Sequence, residues 1–143
     1  MAKSNRVRIV GGAWRSRLLT FPDVVGLRPT PDRVRETVFN WLGQIMDGKR
    51  CLDLFSGSGA MGFEALSRGA RQVVMVERDR KVAQALKENA SILKAENCEL
   101  IVADALEYIA RETQHFDVIF VDPPYQLNLL ASCVTQTATP LDG

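Results

Sequence analysis

The chain has 143 residues, 46% of them apolar and 24% charged, the composition of one ordinary globular domain long enough to bury a core. It has no run of 18 apolar residues, and Met1 to Arg6 lack the apolar stretch of a secretory signal, so the expectation is a cytoplasmic protein with no membrane partner. The net charge of +1 conceals an asymmetry: residues 1–35 carry eight basic side chains, seven of them arginine, against Asp23 and Asp32, a net +6 that leaves about −5 on the rest.

Arg6 to Leu19 has the pattern of a hairpin, with Val7 and Ile9 alternating with Arg6 and Arg8, Gly11-Gly12 as the turn, and Arg15 and Arg17 on the return. A loop with two prolines and a glycine follows. Thr30 is then expected to cap a helix that has Pro31 at its first position. Val34, Val38, Trp41, Leu42, Ile45 and Met46 recur at helical spacing up to Gly48, and Val34, Val38 and Trp41 are expected in the core.

From residue 50 the pattern alternates between strand and helix. Arg50 to Phe55 forms a first strand, a glycine loop follows, and a helix runs from about Ala60 to Ser67. Gln72 to Val76 is an apolar strand ending at Glu77, and Asp79 caps the next helix, with Val82, Leu86 and Leu93 on one face. Glu99 to Ala103 makes a third strand, Asp104 caps a short helix through Ile109, and Phe116 to Val121 is a fourth strand. Strands that are apolar on both faces and alternate with helices predict a parallel sheet covered on both sides. After Tyr125, residues 126–137 have room for one more helix. Cys51, Cys98 and Cys133, odd in number and far apart, fit reduced thiols better than a disulfide framework or a zinc site, and no metal is expected.

In such a sheet, ligands bind beyond the carboxyl ends of the strands. Four strand ends carry polar residues: Asp53 to Gly59, Glu77, Asp104, and Asp122-Pro123-Pro124-Tyr125. Gly57-Ser58-Gly59-Ala60-Met61-Gly62 also fits the dinucleotide pattern, with Glu77 near the distance of a ribose-binding acid, so the loop alone leaves a nicotinamide enzyme and a methyltransferase both open. Two features favour methyl transfer. Asp53, ahead of the glycines, would repel a pyrophosphate and welcome a cationic amino-acid moiety. The Asp-Pro-Pro-Tyr turn has no evident task in hydride transfer, but suits amino methylation. The Asp122 carboxylate and the Pro123 carbonyl could accept the two N–H bonds of a base amine, two prolines would hold the acceptors still, and Tyr125 could stack on the base. This needs no general-base histidine, and His115 is expected at the surface. The arginine-rich arm suits a polyanion, although a solvated charged face would have the same composition.

These residues resemble the bacterial 16S ribosomal RNA guanine-N2 methyltransferases of the RsmD type. The resemblance spans nearly the whole chain: Arg8 to Gly12 with Trp14-Arg15, Leu27 to Glu36, Phe39 to Leu42, Asp53 to Gly59, Glu64 to Ala70, and Asp122 to Tyr125. The Arg28 to Trp41 block is its most specific part, because amino methyltransferases in general share only the glycine loop and the Asp-Pro-Pro-Tyr turn. The resemblance implies a class I methyltransferase fold (a Rossmann-like α/β parallel sheet) over residues 31–143, with residues 1–30 forming a basic hairpin and loop. It implies S-adenosyl-L-methionine held by Asp53, Phe55, Gly57 and Gly59, with Glu77 on the ribose and Asp104 with Ala105 at the adenine edge. Asp122, Pro123 and Tyr125 would hold the target guanine. Arg28, Thr30, Arg33 and Arg35, with Arg15 and Arg17 of the arm, would meet 16S rRNA, the implied partner being a partly assembled small ribosomal subunit.

The family sheet has seven strands, and the three after the fourth are not evident here. The sequence therefore predicts a C-terminally incomplete domain with Phe116–Val121 as a bare apolar edge, marginally stable or inactive unless something covers it. Other amino methyltransferases, acting on DNA adenine or protein glutamine, remain alternatives, as does an inactive module that binds RNA or cofactor.

Overall fold

The computed structural model describes residues 5–24, 27, 30–122 and 132–135. A small antiparallel hairpin, β1 (Asn5–Arg8) and β2 (Leu18–Phe21), pairs Arg6 with Thr20 and Val7 with Leu19. The main sheet comprises β3 (Arg50–Asp53), β4 (Gln72–Glu77), β5 (Cys98–Val102), β6 (Val118–Val121) and β7 (Ser132–Thr135), in the order β5-β4-β3-β6-β7. The first four are parallel and β7 runs antiparallel to β6. Four helices accompany them among the described residues: α1 (Asp32–Leu42), α2 (Ala60–Ser67), α3 (Arg80–Leu93) and α4 (Ala105–Arg111).

Strand alternation builds two cores. Cys51, Val73, Met75, Val118 and Phe120 face one side, where they pack with Phe39 of α1, Phe63 of α2 and Leu86 of α3. Leu52, Val74 and Val76 face the other, with Ala105 of α4 and Phe116. Apolar residues on both faces are what a parallel sheet with helices on each side requires. The hairpin joins the first core through Val7, Ile9, Leu19 and Phe21. The strand order reverses between β3 and β6, so the crevice at their carboxyl ends lies where this class of sheet binds ligands.

The strand and helix sequence agrees with expectation from residue 50 to residue 121, including the Asp79 cap, whose carboxylate accepts from the N–H groups of Lys81 and Val82. Four expectations are corrected. Gly11-Gly12 is not a two-residue turn: the hairpin connection runs from Ile9 to Arg17 and is closed by Ile9 N–H to Arg17 O and Ser16 N–H to Ile9 O. Helix α1 is capped by Pro31 without a side-chain bond, because the Thr30 hydroxyl is engaged elsewhere. Its buried face is Arg35, Val38 and Phe39, whereas Trp41 is 77% exposed and Val34 lies at the surface. Val38 is in the core as expected, whereas the charged Arg35 takes an inward position that the apolar pattern assigns to Val34 and Trp41. Finally, residues 132–135 form a strand rather than part of a helix. β7 pairs with the edge expected to be bare, satisfying backbone groups that β6 would otherwise leave unpaired.

Candidate active site

Three acidic strand ends converge at the crevice. Asp53 closes β3 and is only 2% exposed. Its Oδ2 accepts from Gly62 N–H at 3.1 Å, and its carbonyl oxygen accepts from the Ser56 hydroxyl at 3.0 Å. Burial pushes its carboxyl up to about 7, and the neighbouring Asp122 and Glu77 carboxylates add to this against the opposing Gly62 N–H.

The glycine loop runs from there into α2. Gly59 is the N-cap at φ +84°, and a Cβ there would come within 2.6 Å of the Phe63 ring and 2.7 Å of Leu86, so only glycine fits. Glu77, at the end of β4, fastens the loop. Its Oε1 accepts from Gly57 N–H at 2.9 Å and its Oε2 from Asp79 N–H at 3.0 Å. Each oxygen retains a second lone pair for a ligand hydroxyl. Phe55 lies half-buried against the second core.

After β5, Asp104 uses Oδ2 to cap α4, accepting from Leu106 and Glu107 N–H at 3.1 Å each, and Ala105 is buried behind it. Asp122 follows β6 directly and is partly buried, its Oδ2 accepting from the Thr30 hydroxyl at 3.1 Å. Pro123, Tyr125 and Arg28 lie outside the described residues.

Of the arginines expected to meet RNA, Arg15, Arg17 and Arg33 are exposed and available to a polyanion. Arg35 is not. Its side chain is 0% exposed and its guanidinium is consumed internally: Nε donates to Thr30 O, Nη1 to Arg8 O and Glu64 Oε1, and Nη2 to Asp32. The expectation that Arg35 contacts phosphate is therefore overturned.

Its partner Glu64, also 0% exposed, was not singled out from the sequence. It accepts from Val10 and Gly11 N–H and from Arg35 and Arg68, tying hairpin, α1 and α2 together. The available signal was a lone acid within the apolar run Ala60 to Leu66, because a buried carboxylate demands a buried partner.

The reversed strand order, glycine loop and acidic strand ends define a class I methyltransferase fold. Comparisons with known proteins agree. The family described as conserved hypothetical protein 95 matches residues 7–140, and the chain belongs to it. It is 47% identical to ribosomal RNA small subunit methyltransferase D of Escherichia coli over 131 residues, covering 92% of this chain and 66% of that protein. The solved structure of an Escherichia coli protein provisionally named a methyltransferase is 48% identical with a TM-score of 0.79, covering 88% of this chain and 68% of that one. A Trypanosoma brucei PRMT1 enzyme–prozyme complex solved with AdoHcy is 26% identical with a TM-score of 0.52, covering 62% and 28%. The chain thus spans about two thirds of the length of its nearer relatives among these.

Proposed function

We propose that this chain transfers a methyl group from S-adenosylmethionine to the exocyclic N2 of a guanine in 16S rRNA, working in the cytoplasm on a partly assembled small subunit. The observation that carries the reading is the convergence of Asp53, Glu77 and Asp122 at one crevice, with Asp53 so desolvated that its carboxyl is driven up to about 7. A ligand with cationic groups relieves that repulsion, and a pyrophosphate would add to it.

When bound, S-adenosylmethionine supplies an electrophilic methyl on a positively charged sulfur. Asp53 and the Gly57–Gly59 loop would hold its amino-acid end, Phe55 would wall the crevice, Glu77 would take the ribose hydroxyls, and Asp104 with Ala105 the adenine edge. Asp122 accepts one N–H of the guanine amine, which directs the nitrogen lone pair away from the carboxylate. It also receives the proton the nitrogen sheds once it carries the methyl. Pro123 and Tyr125 are assigned the second acceptor and the stacking face on the sequence pattern. Positioning and preorganised acceptors then supply most of the rate. Exposed Arg15, Arg17 and Arg33 would meet RNA phosphates, and Arg28 is assigned there from its place in the sequence.

The test is transfer of labelled methyl to small subunits carrying unmethylated 16S rRNA, with naked rRNA, DNA and protein in parallel, followed by nucleoside mass analysis. N2-methylguanosine from wild type, and a loss of at least about 100-fold in Asp122→Ala, is expected. Label in DNA or protein would reassign the substrate. Cofactor binding with no transfer to any acceptor would leave a binding module.

A further inference from the structure

We propose that Thr30 is a positioning residue that fixes the Asp122 carboxylate in the crevice, and that the buried Arg35–Glu64 pair holds Thr30 in place for this task. The proposal rests on the reading that Asp122 accepts the target amine.

Asp122 lies just past the last residue of β6, where the ladder no longer restrains its side chain. The Asp122 and Asp53 carboxylates repel each other, which is part of what raises the Asp53 pKa. The Thr30 hydroxyl opposes that repulsion, donating to Oδ2 at 3.1 Å from a residue only 9% exposed. The donated bond leaves Oδ1 to receive an incoming N–H. Threonine suits the role because branching at Cβ restricts χ1, so little entropy is lost in aiming the hydroxyl.

Thr30 is itself anchored. Its carbonyl accepts from Arg35 Nε at 3.1 Å, and Arg35 Nη1 reaches both Arg8 O and Glu64 Oε1 at 2.8 Å. Glu64 in turn accepts from Val10 and Gly11 N–H at 2.9 Å each. One guanidinium thus indexes the loop before α1 against the hairpin and α2. Removing two charges from water offsets most of what their attraction provides, so such a pair is weak evidence for added stability. Its forked, planar donors do fix the relative placement of three segments.

The experiment compares wild type, Thr30→Val, Thr30→Ser, Asp122→Ala and Thr30→Val/Asp122→Ala in the full chain, by methyl transfer to unmethylated small subunits and by urea unfolding. Valine keeps the shape and removes the donor, whereas serine keeps the donor. Thr30→Val is expected to lower kcat by about 10- to 100-fold with KM for both substrates within about twofold, and Thr30→Ser to recover most of the loss. In the Asp122→Ala background the valine change is expected to cost no further activity. In urea the two single changes are expected to be non-additive, a readout that needs no turnover. Normal kcat in Thr30→Val, failure of serine to rescue, or additive unfolding would overturn the proposal. If wild type moves no methyl group, the functional reading fails, and the unfolding cycle still decides whether Thr30 holds Asp122.

Discussion

Replacing Asp53 with asparagine removes one buried negative charge and keeps a side-chain oxygen able to accept from Gly62 N–H. In the wild-type chain, burial first, and then Asp122 and Glu77, push the carboxyl from 3.8 up to about 7. Between those values the folded chain retains a proton on Asp53 that the unfolded chain has lost. Stability from this group is therefore fully present below about pH 4 and drains away as pH rises to about 7. At about 1.4 kcal/mol per pH unit the total is on the order of 4 kcal/mol. The Asp53→Asn variant has no proton to lose at this position, so its stability relative to wild type should climb across that window and level off above it. Urea unfolding of both proteins from pH 4 to 8 reads the difference directly, and other carboxylates largely cancel in it. A bound cation should draw the proton off Asp53, so calorimetry of S-adenosylmethionine binding near pH 6, in buffers of different ionisation enthalpy, should detect proton release from wild type. The variant should release less and bind more weakly. A difference curve flat from pH 4 to 8 would refute the reasoning.

Glu64→Gln should cost about 3 kcal/mol or more, because it leaves the Arg35 cation buried without its anion; a thermal midpoint matching wild type would contradict the hub. Gly12→Ala should cost about 1–3 kcal/mol, since φ there is +82° and a Cβ would sit 2.0 Å from Ser67 O, where the hairpin connection rests on α2. Denaturant unfolding with faster proteolysis around residue 12 would register it, and an unchanged midpoint would disprove the close approach.

The α/β body was legible because its strands are short apolar runs bounded by polar residues, such as Gln72 to Glu77 with Asp79 capping the next helix. The clustering of Asp53, Glu77 and Asp122 was legible because all three lie where strands end. The inward face of α1 was only partly legible, because hydrophobic spacing finds Val38 but cannot place an inward arginine: Arg35 belongs to the core only through Glu64, 29 residues away. Trp41 falls at helical spacing with Val34 and Val38, yet it is exposed. Thr30 looked like a cap because threonine before proline and a helix usually is one, and nothing local reveals that its hydroxyl serves Asp122. The strand at Ser132–Thr135 was missed because sheet pairing depends on a vacant neighbour more than on the paired segment's own pattern.

The two halves of the crevice differ in how far along the chain their partners lie. Asp53 meets Gly62 across nine residues and Glu77 meets Gly57 across 20, whereas Thr30 meets Asp122 across 92. Contacts of long sequence separation carry the larger loop-closure cost and form later. As the chain is synthesised, residues 50–79, with the Asp53–Gly62 and Glu77–Gly57 bonds, are in place before Asp122 has been made. The hairpin must wait for α2 before Val10 and Gly11 find Glu64. The Thr30–Asp122 bond cannot form before Asp122 has been made.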